Sequence, residues 1–247
     1  MAHPIPRGPL AVRWHALELD TVRAGARSRA RVTLENAGSA PWRSPSQVVG
    51  VKLSYHWLDE RGNPIVWDGL RHGLEAEPGS LLELDVTLRG PMPPGRYRLA
   101  FDLVHEGRFW FAELGGVTCE RRVDVEPRVR SWDELTAHLA PEVEPPPGWR
   151  DRVLAAHAEG YAVVAGSVVT GRRGNKPLEA WGPGTGRVPR FPHPLLCPTV
   201  VSGVNVDWLD PVEGLPAAAP PADEPWLYDG RIELRLRRRS GRRFGGR

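Results

Sequence analysis

A chain of 247 residues, 40% apolar and 26% charged, has enough apolar side chain to bury one large core or two smaller ones, which excludes a disordered polypeptide. Its two cysteines, Cys119 and Cys197, one in each half, are fewer than a disulfide framework or a four-ligand zinc site would need. The net charge of +3 is unevenly placed: residues 131–234 carry 8 basic and 14 acidic side chains, and residues 235–247 carry seven arginines and no acid. A basic tail of that kind is a solvated end or a weak anionic tether, so no specific nucleic-acid partner is expected.

The first residues, Met1 to Pro9, hold prolines where a signal peptide needs an apolar run. No apolar stretch approaches the roughly 20 residues of a membrane-spanning helix, and a soluble, cytoplasmic protein is predicted. Only Lys52 and Lys176 are lysines, against 31 arginines, a bias that points to a high-GC bacterial genome.

Residues 1–126 are predicted to form an antiparallel β-sandwich, because apolar and polar side chains alternate almost throughout. The period of two is clean at Arg31–Glu35, Val51–Trp57, Leu82–Leu88 and Tyr97–Leu103. Further strands are expected at Val12–Asp20 and Ile65–Leu70, and at Trp110 or Val117 to Val125, giving about seven. On this pattern Val32, Leu34, Leu53, Tyr55, Leu84, Val86, Leu99 and Phe101 face the core and their neighbours face solvent. Turn residues fall between the strands, at Asn36–Pro41, Asp59–Pro64 and Glu77–Gly79. Pro94-Gly95-Arg96-Tyr97 places a tyrosine at the start of a strand after a Pro-Gly turn, as in the tyrosine corner of immunoglobulin-like sandwiches.

The run from Val32 to Trp42, with Asn36-Ala37-Gly38 followed by Trp42, resembles the signature of the four-tryptophan immunoglobulin-like domain of selective-autophagy receptors and many bacterial proteins. Trp14, Trp42, Trp57, Trp67 and Trp110 would supply the tryptophans. The succession of Asp59-Glu60-Arg61-Gly62-Asn63, a strand, then Pro94-Gly95-Arg96-Tyr97 is also similar to the carbohydrate-binding sandwich of O-antigen ABC transporters. These resemblances imply an immunoglobulin-like fold and a non-catalytic binding role. A stacking platform for a sugar ring needs an exposed indole. Trp42, just after a turn, and Trp110, between Phe109 and Phe111, are the expected ligand-binding residues, whereas Trp57 continues an apolar strand face and is expected in the core.

Residues 127–247 are predicted to form a small, irregular α+β domain. Ser131-Trp132-Asp133-Glu134 fits a capping box, and Trp132, Leu135 and Leu139 then share one face of a short helix ending before Pro141. A second helix is expected over Trp149–Glu159, with Val153, Leu154 and His157 inward and Gly160 as its cap. A buried strand follows at Tyr161–Thr170, with extended pieces at Val200–Leu209 and at Trp226–Leu236, a half-exposed terminal strand.

Chemistry in the second half has thin support. Gly182, Gly184 and Gly186 lack the flanking strand and helix of a phosphate loop. Arg172, Arg173 and Lys176, among small residues, are the candidate anion cradle, with a plain hairpin turn as the favoured alternative. Asp207, Asp210 and Asp229 with His193 are the candidate catalytic set of a carboxylate-dependent, glycan-active enzyme. No metal site and no cofactor are expected. The favoured expectation is a non-catalytic accessory protein that binds glycans or a protein partner in bacterial surface-polysaccharide metabolism, with that enzyme or a structural subunit of a complex as alternatives.

Overall fold

The computed structural model describes residues 9–139, 143–168, 178–181, 200–203 and 224–236. The chain divides into two compact units, Met1–Pro127 and Arg128–Arg247. The fold is mainly β, with a single α-helix among the described residues.

In the first unit, alternation and turn chemistry yield nine strands: β1 (Val12–Leu19), β2 (Arg27–Asn36), β3 (Val51–Leu58), β4 (Pro64–Val66), β5 (His72–Gly73), β6 (Leu81–Arg89), β7 (Gly95–His105), β8 (Phe109–Trp110) and β9 (Cys119–Val125). They form two antiparallel sheets. One has the order β1-β2-β6, and the other has the order β4-β3-β7-β8, with β5 also paired to β3 and β9 to β7. Val32, Leu34, Val86 and Leu88 of the first sheet meet Leu53, Tyr55, Trp57, Leu99, Phe101 and Leu103 of the second in one apolar core. Leu84 is only half-buried and packs at its margin.

Two side chains of β3 tie the sheets together through Arg89 at the end of β6. Tyr55 Oη accepts the Arg89 N–H at 2.7 Å, and Trp57 Nε1 donates to the Arg89 carbonyl at 2.8 Å. Both polar atoms are thereby satisfied inside an apolar layer, where an unpaired one would cost about 1–3 kcal/mol. The tyrosine corner is present, with the Tyr97 hydroxyl donating to the Pro93 carbonyl at 2.7 Å.

The expected exposure of every second residue fails on β3 and β7. Lys52, Ser54 and His56 are buried although they oppose the core face of β3, and so is Asp102 on β7. Alternation reports which face of a strand a residue takes and not whether a loop later covers that face.

In the second unit, β10 (Thr136–Leu139) replaces the helix predicted after Ser131. The Glu134 carboxylate does reach back to the Ser131 N–H, at 3.2 Å. Yet the turn stops at a single 3-10 turn, Trp132–Glu134, and Leu135 is already extended. Leu135, Ala137 and Leu139 also fit a period of two, and pairing with a partner strand decides between the two patterns. Past β11 (Val143–Glu144), α1 spans Trp149–Glu159, burying Val153, Ala156 and His157 while Leu154 is half-buried.

Strands β12 (Val163–Val168), β13 (Leu178–Trp181), β14 (Val200–Gly203) and β15 (Trp226–Leu236) complete this unit. The sheet order is β10-β14-β12-β15-β11, with β13 also on β15 and β12 parallel to it. The last strand is therefore a hub of the sheet, with Trp226, Leu227 and Ile232 buried and Arg231 exposed. Helix α1 packs Val153 and Ala156 against Val164, Leu227 and Ile232. No helix among the described residues is long and apolar enough to cross a membrane.

Candidate binding face

The outer face of the β3–β7 sheet carries a polar layer closed over by the chain that follows β4. Gly69 lies against β3, donating its N–H to the Tyr55 carbonyl at 3.0 Å. A Cβ on Gly69 would sit 2.5 Å from that oxygen, so only glycine permits the approach. Two residues on, Arg71 fastens the segment down. Its guanidinium donates to Ser54 Oγ at 2.8 Å, to the Gly69 carbonyl at 3.0 Å and to Glu106 at 2.7 Å, and it pairs with Asp68. The same cation lies 4.8 Å from the centre of the Trp110 ring.

These ties fix Trp67. One face of its indole stacks on the His56 imidazole at 4.1 Å and 22°, and Trp110 meets it edge-on at 6.1 Å. Trp67 nonetheless keeps 48% of its surface open, with the exposed carboxylate of Asp68 beside it. A half-open indole backed by an immobilised imidazole and flanked by an acceptor is the arrangement that an apolar ring face with peripheral hydroxyls can dock on.

Beneath the indole, His56 Nδ1 contacts the Trp67 carbonyl. Burial pulls His56 below its ordinary 6.5, and the bond to the Trp67 carbonyl and the Asp68 carboxylate oppose this. Asp102 sits 4.0 Å away, pushed up to about 6 by burial despite the N–H groups of Ala112 and Leu103 that it accepts. Lys52, lower on the same face, is bonded to Ser44 Oγ and the Ser46 carbonyl.

The tryptophans singled out from the sequence are not the open ones. Trp42 is 0% exposed: its backbone pairs with Ala76, and its indole packs edge-on against Phe111 at 6.2 Å. Trp110 is 8% exposed, enclosed by His56 and the Arg71 cation. Neither has a free face on which a ring could stack, which corrects the expectation that these two bind ligand. Trp57 is in the core as expected. Trp67 was not expected to be the open indole; the signal available was its neighbours, since Asp68 and Gly69 mark a turn and break the strand expected to run on to Leu70.

Of the second-half candidates, Asp229 is described. It is buried, and both its oxygens are held by Arg231, at 2.8 Å and 2.7 Å, in a bidentate pair. A carboxylate so engaged is placed to hold the strand and not to attack or transfer a proton. Asp207, Asp210 and His193, the basic trio Arg172, Arg173 and Lys176, and the glycines 182, 184 and 186 lie outside the described residues. Among the described residues no cluster of three or more His, Cys, Asp or Glu side chains is placed to hold a metal ion.

No protein-family model matches the sequence, and no curated protein matches it. Among solved structures, 50% of the chain is similar to the C-terminal domain of Wzt, covering 78% of that domain at 8% identity and a TM-score of 0.34. A FixG-related protein from Vibrio parahaemolyticus is matched over 95% of its length by 46% of the chain, at 15% identity and a TM-score of 0.29. The alkylpurine DNA glycosylase AlkC of Pseudomonas fluorescens is matched over 30% of its length, at 14% identity and a TM-score of 0.31. Scores this low carry nothing about function, which has to rest on the chain's own residues.

Proposed function

We propose that the first unit is a non-catalytic binding module whose ligand is a glycan stacked on Trp67. The observation that carries this reading is the indole itself, 48% exposed yet clamped from behind by His56 at 4.1 Å. A platform already ordered before ligand arrives loses little side-chain freedom on binding, which favours affinity from a small contact. Exposed Asp68 supplies acceptors for hydroxyl groups beside the ring. The sequence likeness around Asn36 and Trp42 agrees with a binding role but names no ligand. Screening the full chain on an array of bacterial surface polysaccharides, beside Trp67→Ala, tests the proposal: signals from the parent that vanish in the variant support it.

A protein partner is the second reading, favoured by Ile65. This residue lies two positions before Trp67 in the short strand β4 and is 46% exposed, so the two present an apolar strip. Binding by a protein that survives Trp67→Ala but fails in Ile65→Asp, with no glycan retained, would favour that partner.

A further inference from the structure

Two hydrogen-bond acceptors face each other under the platform. The Trp67 carbonyl can only accept, so the His56 nitrogen against it, Nδ1, carries the proton. The neutral ring then presents a bare lone pair at Nε2, which is buried without a hydrogen-bond partner. Opposite it, at 4.0 Å, lies Asp102 Oδ2. The Asp102 carboxylate is buried as well, with Oδ1 accepting the Leu103 N–H at 2.7 Å and Oδ2 the Ala112 N–H at 3.2 Å. A lone pair facing a carboxylate in a desolvated layer leaves one site that a single proton would satisfy for both groups.

We propose that His56 Nε2 and Asp102 Oδ2 form a buried proton-binding site that couples the seating of Trp67 to pH. One proton taken from solvent forms an N–H or O–H bond in the gap, and the charge of the pair goes from −1 to 0. The gap must then close from 4.0 Å to a hydrogen-bond length of about 2.8 Å. Neither group can move alone. The His56 ring is stacked on Trp67 and meets Trp110 edge-on at 4.3 Å. The Asp102 carboxylate holds the Ala112 N–H, in the turn that follows Trp110. Proton uptake is therefore expected to shift the indole of Trp67.

Other charges facing the pair set its bias. Arg71 opposes uptake by its positive charge, although Glu106 and Asp68 hold that cation. Asp68, on the segment over the sheet, and Glu113, on the turn after Trp110, favour it. Because the two groups are coupled, the proton has one apparent pKa belonging to the pair. Burial has already lifted Asp102 to about 6, which places uptake in the mildly acidic range.

The proton site stands on the sandwich alone; only its consequence for ligand rests on the glycan reading. The test is a pH titration of the full chain by long-range 1H–15N NMR, with His56 assigned by its loss in His56→Gln. The expected result is a His56 Nε2 signal that titrates near pH 6, with the Trp67 indole signal moving at the same midpoint. Asp102→Asn should remove both movements. Glu113→Gln, a change at an exposed residue, should lower the shared midpoint by a few tenths of a unit and keeps the test open if Asp102→Asn does not fold. A His56 signal flat between pH 5 and 7.5 would overturn the proposal, as would a Trp67 indole that ignores the His56 midpoint. Polysaccharide retention at pH 5 and 7.5 separates the two ideas: no retention at either pH ends the glycan reading, while the NMR midpoints still decide the proton site.

Discussion

Asn36 and Ala76 are joined across forty residues by a buried hydrogen bond, the Asn36 side-chain amide donating to the Ala76 carbonyl at 3.2 Å. The second amide hydrogen goes to the Ala40 carbonyl at 2.9 Å, and the side-chain oxygen accepts the Gly38 N–H at 3.1 Å. One side chain thus shapes the turn after β2 and fastens it to the segment that pairs with Trp42. Gly38 completes the turn, since a Cβ there would meet the Pro9 carbonyl oxygen at 2.3 Å. The Asn-x-Gly motif with its following tryptophan is, in this chain, a device for building the sandwich.

Asn36→Ala is expected to destabilise the first unit by about 2 kcal/mol, because the Ala40 carbonyl and the Gly38 N–H lose their partner and the Ala76 carbonyl keeps only the Trp42 N–H. Asn36→Asp should also destabilise, as a carboxylate cannot donate to either carbonyl. Denaturant unfolding of both variants checks this, and a loss below about 0.5 kcal/mol would show that water replaces the amide at no cost.

Tyr97→Phe removes the hydroxyl that donates to Pro93 and keeps the ring that packs on Trp57 at 6.3 Å. The expected cost is about 1 kcal/mol, the net worth of one hydrogen bond. Equal unfolding midpoints for the variant and the parent would remove the corner from the account of stability.

Much of the first unit was legible because strand period and turn residues are local properties. Val32, Leu34, Leu53, Tyr55, Leu99 and Phe101 take the core face as alternation requires. The candidate binding face was not legible, because it depends on a loop returning over β3. Ser54 and His56 read as solvated until Gly69 and Arg71 bring the chain back on top of them, and Lys52 until Ser44 and Ser46 bond its ammonium. Trp42 looked exposed because it follows a turn, yet the pairing with Ala76 that buries it is long-range. At Ser131 the capping signal was real, but a cap fixes where a turn begins and not how far it runs.

Trp42→Ala and Trp67→Ala should separate architecture from binding. Trp42 fills the core, and its truncation is expected to cost about 3–5 kcal/mol. Trp67 has nearly half its surface in water already, so its truncation should cost about 1 kcal/mol or less. Thermal unfolding followed by circular dichroism would show the difference, and similar large losses for both would mean that Trp67 is a structural residue.

His157 gives the second unit an acid sensitivity. It is fully buried, its Nδ1 donates to the Tyr161 carbonyl at 2.7 Å, and burial pulls its pKa down to about 4. The unfolded chain, with a histidine near 6.5, then binds protons more readily than the folded one. Stability from this residue is complete above pH 6.5 and is lost as pH falls from 6.5 toward 4, by up to about 3 kcal/mol at roughly 1.4 kcal/mol per pKa unit. Denaturant midpoints measured from pH 7.5 to 4 should fall in the parent and flatten in His157→Gln, and an equal slope in both would assign the effect to other groups.

The most direct measurement is affinity electrophoresis of the full chain through gels containing each polysaccharide that scores on the array, for the parent, Trp67→Ala and Trp67→Tyr. The parent is expected to be retarded, Trp67→Ala to run as in an empty gel with its unfolding midpoint nearly unchanged, and Trp67→Tyr to keep part of the retardation because an aromatic face remains. Retardation that is identical in the parent and Trp67→Ala would place any glycan contact elsewhere and contradict the account.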